Sequence, residues 1–182
     1  APEDYSRNQS PFAFDPAAEC PRFLNELIYP AVEPDDADLL QRWAGLALFG
    51  YNLPQRFLIV DGTPNGGKGT LVRIVQALVG LNNTYQLRTE CLHERFETYR
   101  YRGKTLLIGP DVRGDFLMER GASMLKVLVG GDPISAEGKG LNGDFQMFGT
   151  FNIVVTCNSR LRVRLEDDAG AWRRRSLVVR DE

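Results

Sequence analysis

The sequence is poor in the residues that build metal centres and disulfide scaffolds. It has one histidine, His93, and three cysteines, Cys20, Cys91 and Cys157, scattered over 182 residues. An odd, dispersed set of thiols excludes a disulfide framework. A lone histidine with no second histidine or cysteine pair beside it excludes the usual zinc patterns, so His93 is expected at the surface. Unpaired thiols suit a reducing, cytoplasmic setting. No apolar run approaches the roughly 20 residues of a membrane span, and no stretch has the pattern of a secretory signal. Excess charge is missing too: 22 Lys and Arg against 24 Asp and Glu leave −2. So balanced a chain is no polycation, and any contact with nucleic acid must be local.

What is present is enough for one folded unit. Hydrophobic residues make up 43% and charged residues 25%, ordinary for a globule that buries about 70% of its unfolded surface. The charge is uneven along the chain. Arg95, Arg100, Arg102 and Lys104 form one basic stretch; Arg160, Arg162, Arg164, Arg173, Arg174 and Arg175 form another. The chain begins at Ala1 rather than Met and stops just past an apolar strand, so it is expected to be a piece of a longer polypeptide.

One motif dominates. Gly62, Pro64, Asn65, Gly66, Gly67, Lys68, Gly69 and Thr70 belong to a glycine-rich loop that follows the apolar run Phe57–Val60. A helical pattern with Leu71, Ile74, Val75 and Leu78 on one face comes next, and Gly80 ends it. Strand, glycine-rich loop, lysine and helix together make a phosphate cradle: loop N–H groups surround the anion, the helix dipole adds positive potential, and the lysine adds full charge. The expected ligand is a nucleoside triphosphate. The usual pattern has Ser or Thr directly after the lysine to hold Mg²⁺; here Gly69 stands there and Thr70 follows. Either Thr70 reaches the metal or water and other groups do.

Around this motif the chain alternates. Residues 1–20 read as an irregular arm, Phe23 to Ile28 has helical spacing, and a helix is expected from about Asp36 to Phe49, capped by Asp35 or Asp36. Residues 1–52 thus form an N-terminal arm and helical segment, and 53–182 a P-loop core. Strands are expected at 57–60, 85–87, 105–108, 151–156 and 176–179, with a helix from Phe116 to Val129. Strands alternating with helices predict an α/β fold with a five-stranded parallel sheet covered on both faces, and ligands at the carboxyl ends of its strands. Ile134–Glu137 and Phe145–Phe148 flank a glycine-rich tip and predict a β-hairpin, with Lys139 near the tip. A lysine there suits a moving contact with a phosphate backbone.

Three further sites follow. Asp111, just beyond the strand at 105–108, is placed to hold Mg²⁺. The residue after it is Val112, so no second acid adjoins, and Asp115 is the substitute candidate for aligning water. Asn158, at the end of the strand at 151–156, can bond both a terminal phosphate and an attacking water. Arg173, Arg174 and Arg175 precede the last strand, from which one or two can serve a neighbouring subunit's phosphates.

With these pieces in order, the chain resembles the AAA+-like ATPase domain of superfamily 3 helicases, and within them the phage and plasmid primase–helicase family with its poxvirus relatives. The matching stretches are Asp61–Thr70, Gly103–Asp111, Leu125–Asp132, Val154–Asn158 and Trp172–Arg174. The resemblance implies an ATP- and Mg²⁺-dependent DNA helicase, working in a bacterial host cell or at a viral replication site. It implies a homo-hexameric ring on single-stranded or forked DNA, with an upstream primase domain possible. By it Lys68 binds phosphates, Thr70 and Asp111 hold Mg²⁺, Asn158 senses the phosphate, Arg173 or Arg174 acts on the next subunit's ATP, and Lys139 draws the strand. The chain departs from the family at Gly69, in Ser159–Val163, which lacks the proline often seen, and in the ring-forming collar expected before the ATPase core, which is missing or much reduced. Two other readings remain: a nucleotide-gated assembly module with little or no turnover, and a small-molecule P-loop kinase, for which no acceptor pocket or lid is apparent.

Overall fold

The computed structural model describes residues 9–140, 143–162 and 169–180. The first eight residues of the arm, Leu141 and Asn142 at the hairpin tip, Val163 and Arg164 lie outside the described residues. In chain order the elements are a π-helical turn (Phe23–Ile28), α1 (Pro34–Phe49), β1 (Phe57–Asp61), α2 (Lys68–Val79), β2 (Thr84–Gln86), β3 (Leu106–Gly109), α3 (Ala122–Gly130), β4 (Pro133–Glu137), β5 (Asp144–Phe148), β6 (Asn152–Cys157), α4 (Ala169–Arg175) and β7 (Ser176–Arg180).

Five strands form a parallel sheet in the order β2-β3-β6-β1-β7. The central strands β1, β3 and β6 are buried on both faces, which is why they read as unbroken apolar runs rather than alternating ones. Their side chains divide by face. Leu58, Val60, Leu106, Ile108, Val154 and Val179 pack with Trp43 and Ala47 of α1 and with Val72, Val75 and Val79 of α2. Phe57, Ile59, Leu107, Ile153 and Val155 pack with Leu125, Leu128 and Val129 of α3, with Tyr101 and with Trp172. No helix among the described residues is long and apolar enough to cross a membrane.

Three expectations need correction. The helix predicted from Phe116 to Val129 is broken: a short 3₁₀ turn at Phe116–Met118 precedes α3, which starts only at Ala122. Gly121 makes the break, at φ +94° and so close to the chain at His93 that a Cβ would lie 2.7 Å from the His93 nitrogen. Second, α1 begins at Pro34 with Glu33 at its N-cap and no side-chain cap. Proline needs no N–H in the first turn, and Asp35 and Asp36 there face the positive helix end. Third, Arg173, Arg174 and Arg175 belong to the last turn of α4 rather than to an extended strand entry.

The hairpin forms as expected, with β4 and β5 antiparallel from Pro133↔Phe148 to Glu137↔Asp144. Its root is tight. Gly149 donates to the Asp132 carbonyl and accepts from the Gly131 N–H, both at 2.9 Å. A Cβ at Gly149 would lie 1.7 Å from the Val127 carbonyl oxygen of α3.

Candidate nucleotide site

The loop between β1 and α2 closes as a turn. The Gly66 N–H donates to the Thr63 carbonyl at 3.2 Å, and Asn65 and Gly67 take positive φ, +69° and +86°. Gly67 also passes beneath Leu27, whose Cδ1 would be 3.2 Å from an added Cβ. The Gly67 carbonyl accepts from Thr70 and Leu71, starting α2. Lys68 is buried, and its ammonium folds over the loop, donating to the Gly62 and Thr63 carbonyls at 2.7 and 2.5 Å. Those partners are neutral and use two of the three ammonium donors. A polyphosphate, the stronger acceptor, can take the ammonium from them without breaking an ion pair. The residues therefore fit the expected anion.

Gly69 is exposed, and a side chain there would meet nothing within 4 Å. The Thr70 hydroxyl accepts from Arg73 Nη2 at 3.3 Å, while Arg73 Nε donates to the Gly69 carbonyl at 3.2 Å. Sequence reasoning passed over Arg73. The signal was its spacing, three residues from Thr70 and four from Gly69 on one helix, which puts them on the same face.

Asp111 and Asn158 stand 47 residues apart in the sequence, and the fold brings them together. β6 lies between β1 and β3 in the sheet, so Asn158, just beyond β6, stands between the glycine-rich loop and Asp111, just beyond β3. Asn158 Nδ2 donates to Asp111 Oδ1 at 2.5 Å. Asp111 holds a positive φ of +48°. It is kept there by Thr156, whose hydroxyl accepts from the Asp111 N–H and whose carbonyl accepts from the Val112 N–H, both at 2.8 Å. Thr156 was not foreseen; it looked like one more strand residue. Asp115, the substitute candidate, pairs instead with Arg113 at 2.9 Å.

The arginines expected to serve a neighbouring subunit lie away from this rim. β7 starts opposite Phe57, the first residue of β1, so Arg173 and Arg174 sit at the amino rim, a strand's length or about 13 Å from the Lys68 loop. Both are exposed, while Trp172 beside them is buried edge-on against Phe57. Lys139 is exposed in the connection between β4 and β5. His93 is at the surface, as expected, and the described residues contain no cluster of three metal-ligating side chains.

Two hollows flank the loop. One is an apolar slot made by Leu27, Ile28, Ala31, Val32, Leu71 and Val179 against Gly66–Lys68. The other, of about 270 Å³, is lined by Gly69, Arg73, Gln76, Tyr85, Gln86, Pro110 and Thr156. Behind the rim lies the fully buried Cys157 thiol, pushed up to about 11, first by burial and then by the neighbouring Asp61 carboxylate.

Parallel sheet, glycine-rich loop and rim carboxylate define a P-loop NTPase fold of the kind found in helicases. The chain belongs to DUF5906, a family of unknown function, which matches residues 60–175, more than half of its length. No curated protein matches the sequence. Among solved structures it is similar to the apo C-terminal region of NrS-1, with a TM-score of 0.67 and 18% identity over 93% of this chain and 41% of that one. It is also similar to JCV helicase, with a TM-score of 0.53 and 15% identity over 82% of this chain and 42% of that one. At such identities the likeness is one of fold, and the chain spans about two fifths of the length of these structures.

Proposed function

We propose that this chain is the ATPase core of an ATP-dependent DNA helicase or translocase in a phage or plasmid replication protein. One observation carries the reading: the Lys68 loop, Asn158 and Asp111, singled out independently, share one rim of the sheet on three adjacent strands, with Asn158 and Asp111 hydrogen-bonded.

In this reading the N–H groups between Gly62 and Thr70 hold the triphosphate, with Pro64 shaping the loop rather than donating. Lys68 leaves its carbonyl partners for the terminal phosphates. Thr70 and Asp111 hold Mg²⁺, which when bound offsets charge that builds on the phosphate oxygens. Asn158 anchors the Asp111 carboxylate with one amide hydrogen and has a second for the terminal phosphate or the attacking water. Arg173 and Arg174, at the far rim of their own subunit, serve the site of the next copy in a homo-hexameric ring, a contribution of about 10³–10⁵ in rate. Lys139 meets single-stranded or forked DNA in the channel. The NrS-1 and JCV helicase likenesses support the reading at the level of fold.

The test is ATP turnover with and without single-stranded DNA. Turnover stimulated by DNA and lost in Lys68→Ala supports the proposal; turnover indifferent to Lys68→Ala overturns it. A second reading, a nucleotide-gated assembly module, is favoured by Arg73, whose guanidinium sits on the very hydroxyl offered to the cation and repels like charge. Nucleotide binding without turnover, even with DNA, would select it.

A further inference from the structure

The basic stretch from Arg95 to Lys104 has no part in the nucleotide site, yet it is where the hairpin is tied down. Arg95 Nε and Nη2 both reach Glu137 Oε2, at 2.7 and 2.5 Å. The Arg102 guanidinium lies over the Phe145 ring, 4.4 Å from its centre. Glu137 pairs with Asp144 and Ala136 with Phe145, so the two arginines grip adjacent rungs, the last two before the tip that carries Lys139. Arg95, Arg102 and Lys139 are all exposed. Adjacent rungs point to opposite faces of a strand pair, so Arg95 holds one face of the distal end and Arg102 the other, with Lys139 in the connection beyond them. The acids there are Glu137, directly on Arg95, and Asp144, whose charge also acts on Arg95 and which accepts from the Ser135 hydroxyl.

The backbone presenting these arginines is fixed from behind. Arg88 and Tyr101 bond the buried Glu97, Arg100 pairs with it at 3.6 Å, and Arg100 also donates to the Tyr85 hydroxyl. The side chain of Arg95, by contrast, is 70% exposed. An ion pair in water contributes little and exchanges partners readily. A guanidinium fork accepts phosphate in the geometry it uses for carboxylate.

We propose that Arg95 and Arg102, one on each face of the hairpin end, share with Lys139 the contact to the phosphodiester backbone of single-stranded DNA, and that Glu137 occupies Arg95 as a phosphate substitute until the strand displaces it. This inference rests on the hairpin being the strand-contacting element. It adds a built-in competitor: the strand gains Arg95 only by displacing Glu137, so affinity at this end of the hairpin is set by the acid as well as by the bases.

The test is fluorescence anisotropy of labelled oligo-dT with the 182-residue chain over a range of salt concentrations. Arg95→Gln and Arg102→Gln are each expected to weaken binding several-fold and to lower the salt slope by about 0.7, the value for one lost single-strand phosphate contact. Glu137→Gln is expected to tighten binding about two- to five-fold, the scale of an exposed ion pair, and to have no such effect in the Arg95→Gln background. A gain from Glu137→Gln that persists without Arg95 overturns the substitute role, as does no gain at all. Equal tightening toward poly-glutamate marks a general anion surface and overturns the strand assignment. Lys139→Ala separates the two levels of failure. If it weakens binding while Arg95→Gln and Arg102→Gln do not, the shared contact is wrong and the hairpin reading stands; if none of the three weakens binding, both fall.

Discussion

Glu97 is the most deeply buried charged side chain among the described residues, 1% exposed, and neutralising it tests how that charge is held. Arg88 donates to both carboxylate oxygens, the Tyr101 hydroxyl donates to Oε1 at 3.0 Å, and Arg100 stands 3.6 Å away. Taking a carboxylate out of water costs several kcal/mol, which only such a full set of partners offsets, and breaking a buried pair from one side costs about 3–5 kcal/mol. Arg88 is 33% exposed and recovers some water when its partner is neutralised. Glu97→Gln is therefore expected at the lower end, about 3 kcal/mol, or a fall of about 6–12 °C in Tm for a chain of this size. Differential scanning calorimetry reads it directly. The paired change Arg88→Met with Glu97→Met should recover most of the loss, because it removes both desolvated groups together. A second readout is spectroscopic. Burial, and then the Glu97 carboxylate, holds the Tyr101 hydroxyl well above its usual range, so in Glu97→Gln tyrosinate absorbance should appear at lower pH. A melting shift under 2 °C with an unchanged tyrosine titration would refute the claim that this network braces the segment.

Other outcomes follow from single contacts. Gly149→Ala should cost about 3 kcal/mol or more in urea denaturation, since its Cβ would meet the Val127 backbone oxygen of α3 at 1.7 Å, with no flexible atom to yield. Gly69→Ser has open space and should keep or slightly raise stability, by up to about 0.5 kcal/mol. If Thr70 does the work of the missing hydroxyl, Gly69→Ser should restore Mg²⁺-dependent nucleotide binding lost in Thr70→Ala; failure to restore it in a folded protein removes Thr70 from the metal site. In alkali, the folded Cys157 thiol at about 11 keeps its proton where the unfolded thiol, at about 9, loses it. The unfolded state then binds fewer protons, so this group leaves stability untouched below pH 9 and lowers it between about pH 9 and 11. Cys157→Ala should flatten that part of a pH–stability curve, and an unchanged slope would count against the burial.

What was legible in the sequence is what neighbouring residues decide together. The Lys68 loop, the strand before it, the helix after it and the hairpin all rest on local periodicity and glycine placement, and the structure has them within a residue or two. What escaped depends on contacts across the chain. The break before α3 exists because Gly121 meets His93, far away in sequence. Thr156 matters only because the sheet lays β6 beside β3, so that its hydroxyl reaches Asp111. Arg73 gains interest from the hydroxyl that Gly69 lacks, which its spacing from Thr70 does not show by itself. The tie between Arg95 and Glu137 joins positions 42 apart, which no window along the chain reveals.

The intervening β6 acts as a ruler. Two inter-strand steps, about 9.5 Å, separate the end of β1 from the end of β3, and that span is set by main-chain ladders rather than by side chains. Substitutions at Lys68 or Asp111 can empty either bank of the gap but leave its width unchanged. Under the proposed function, chemistry across it is adjusted by what stands midway, and in this chain that is Asn158.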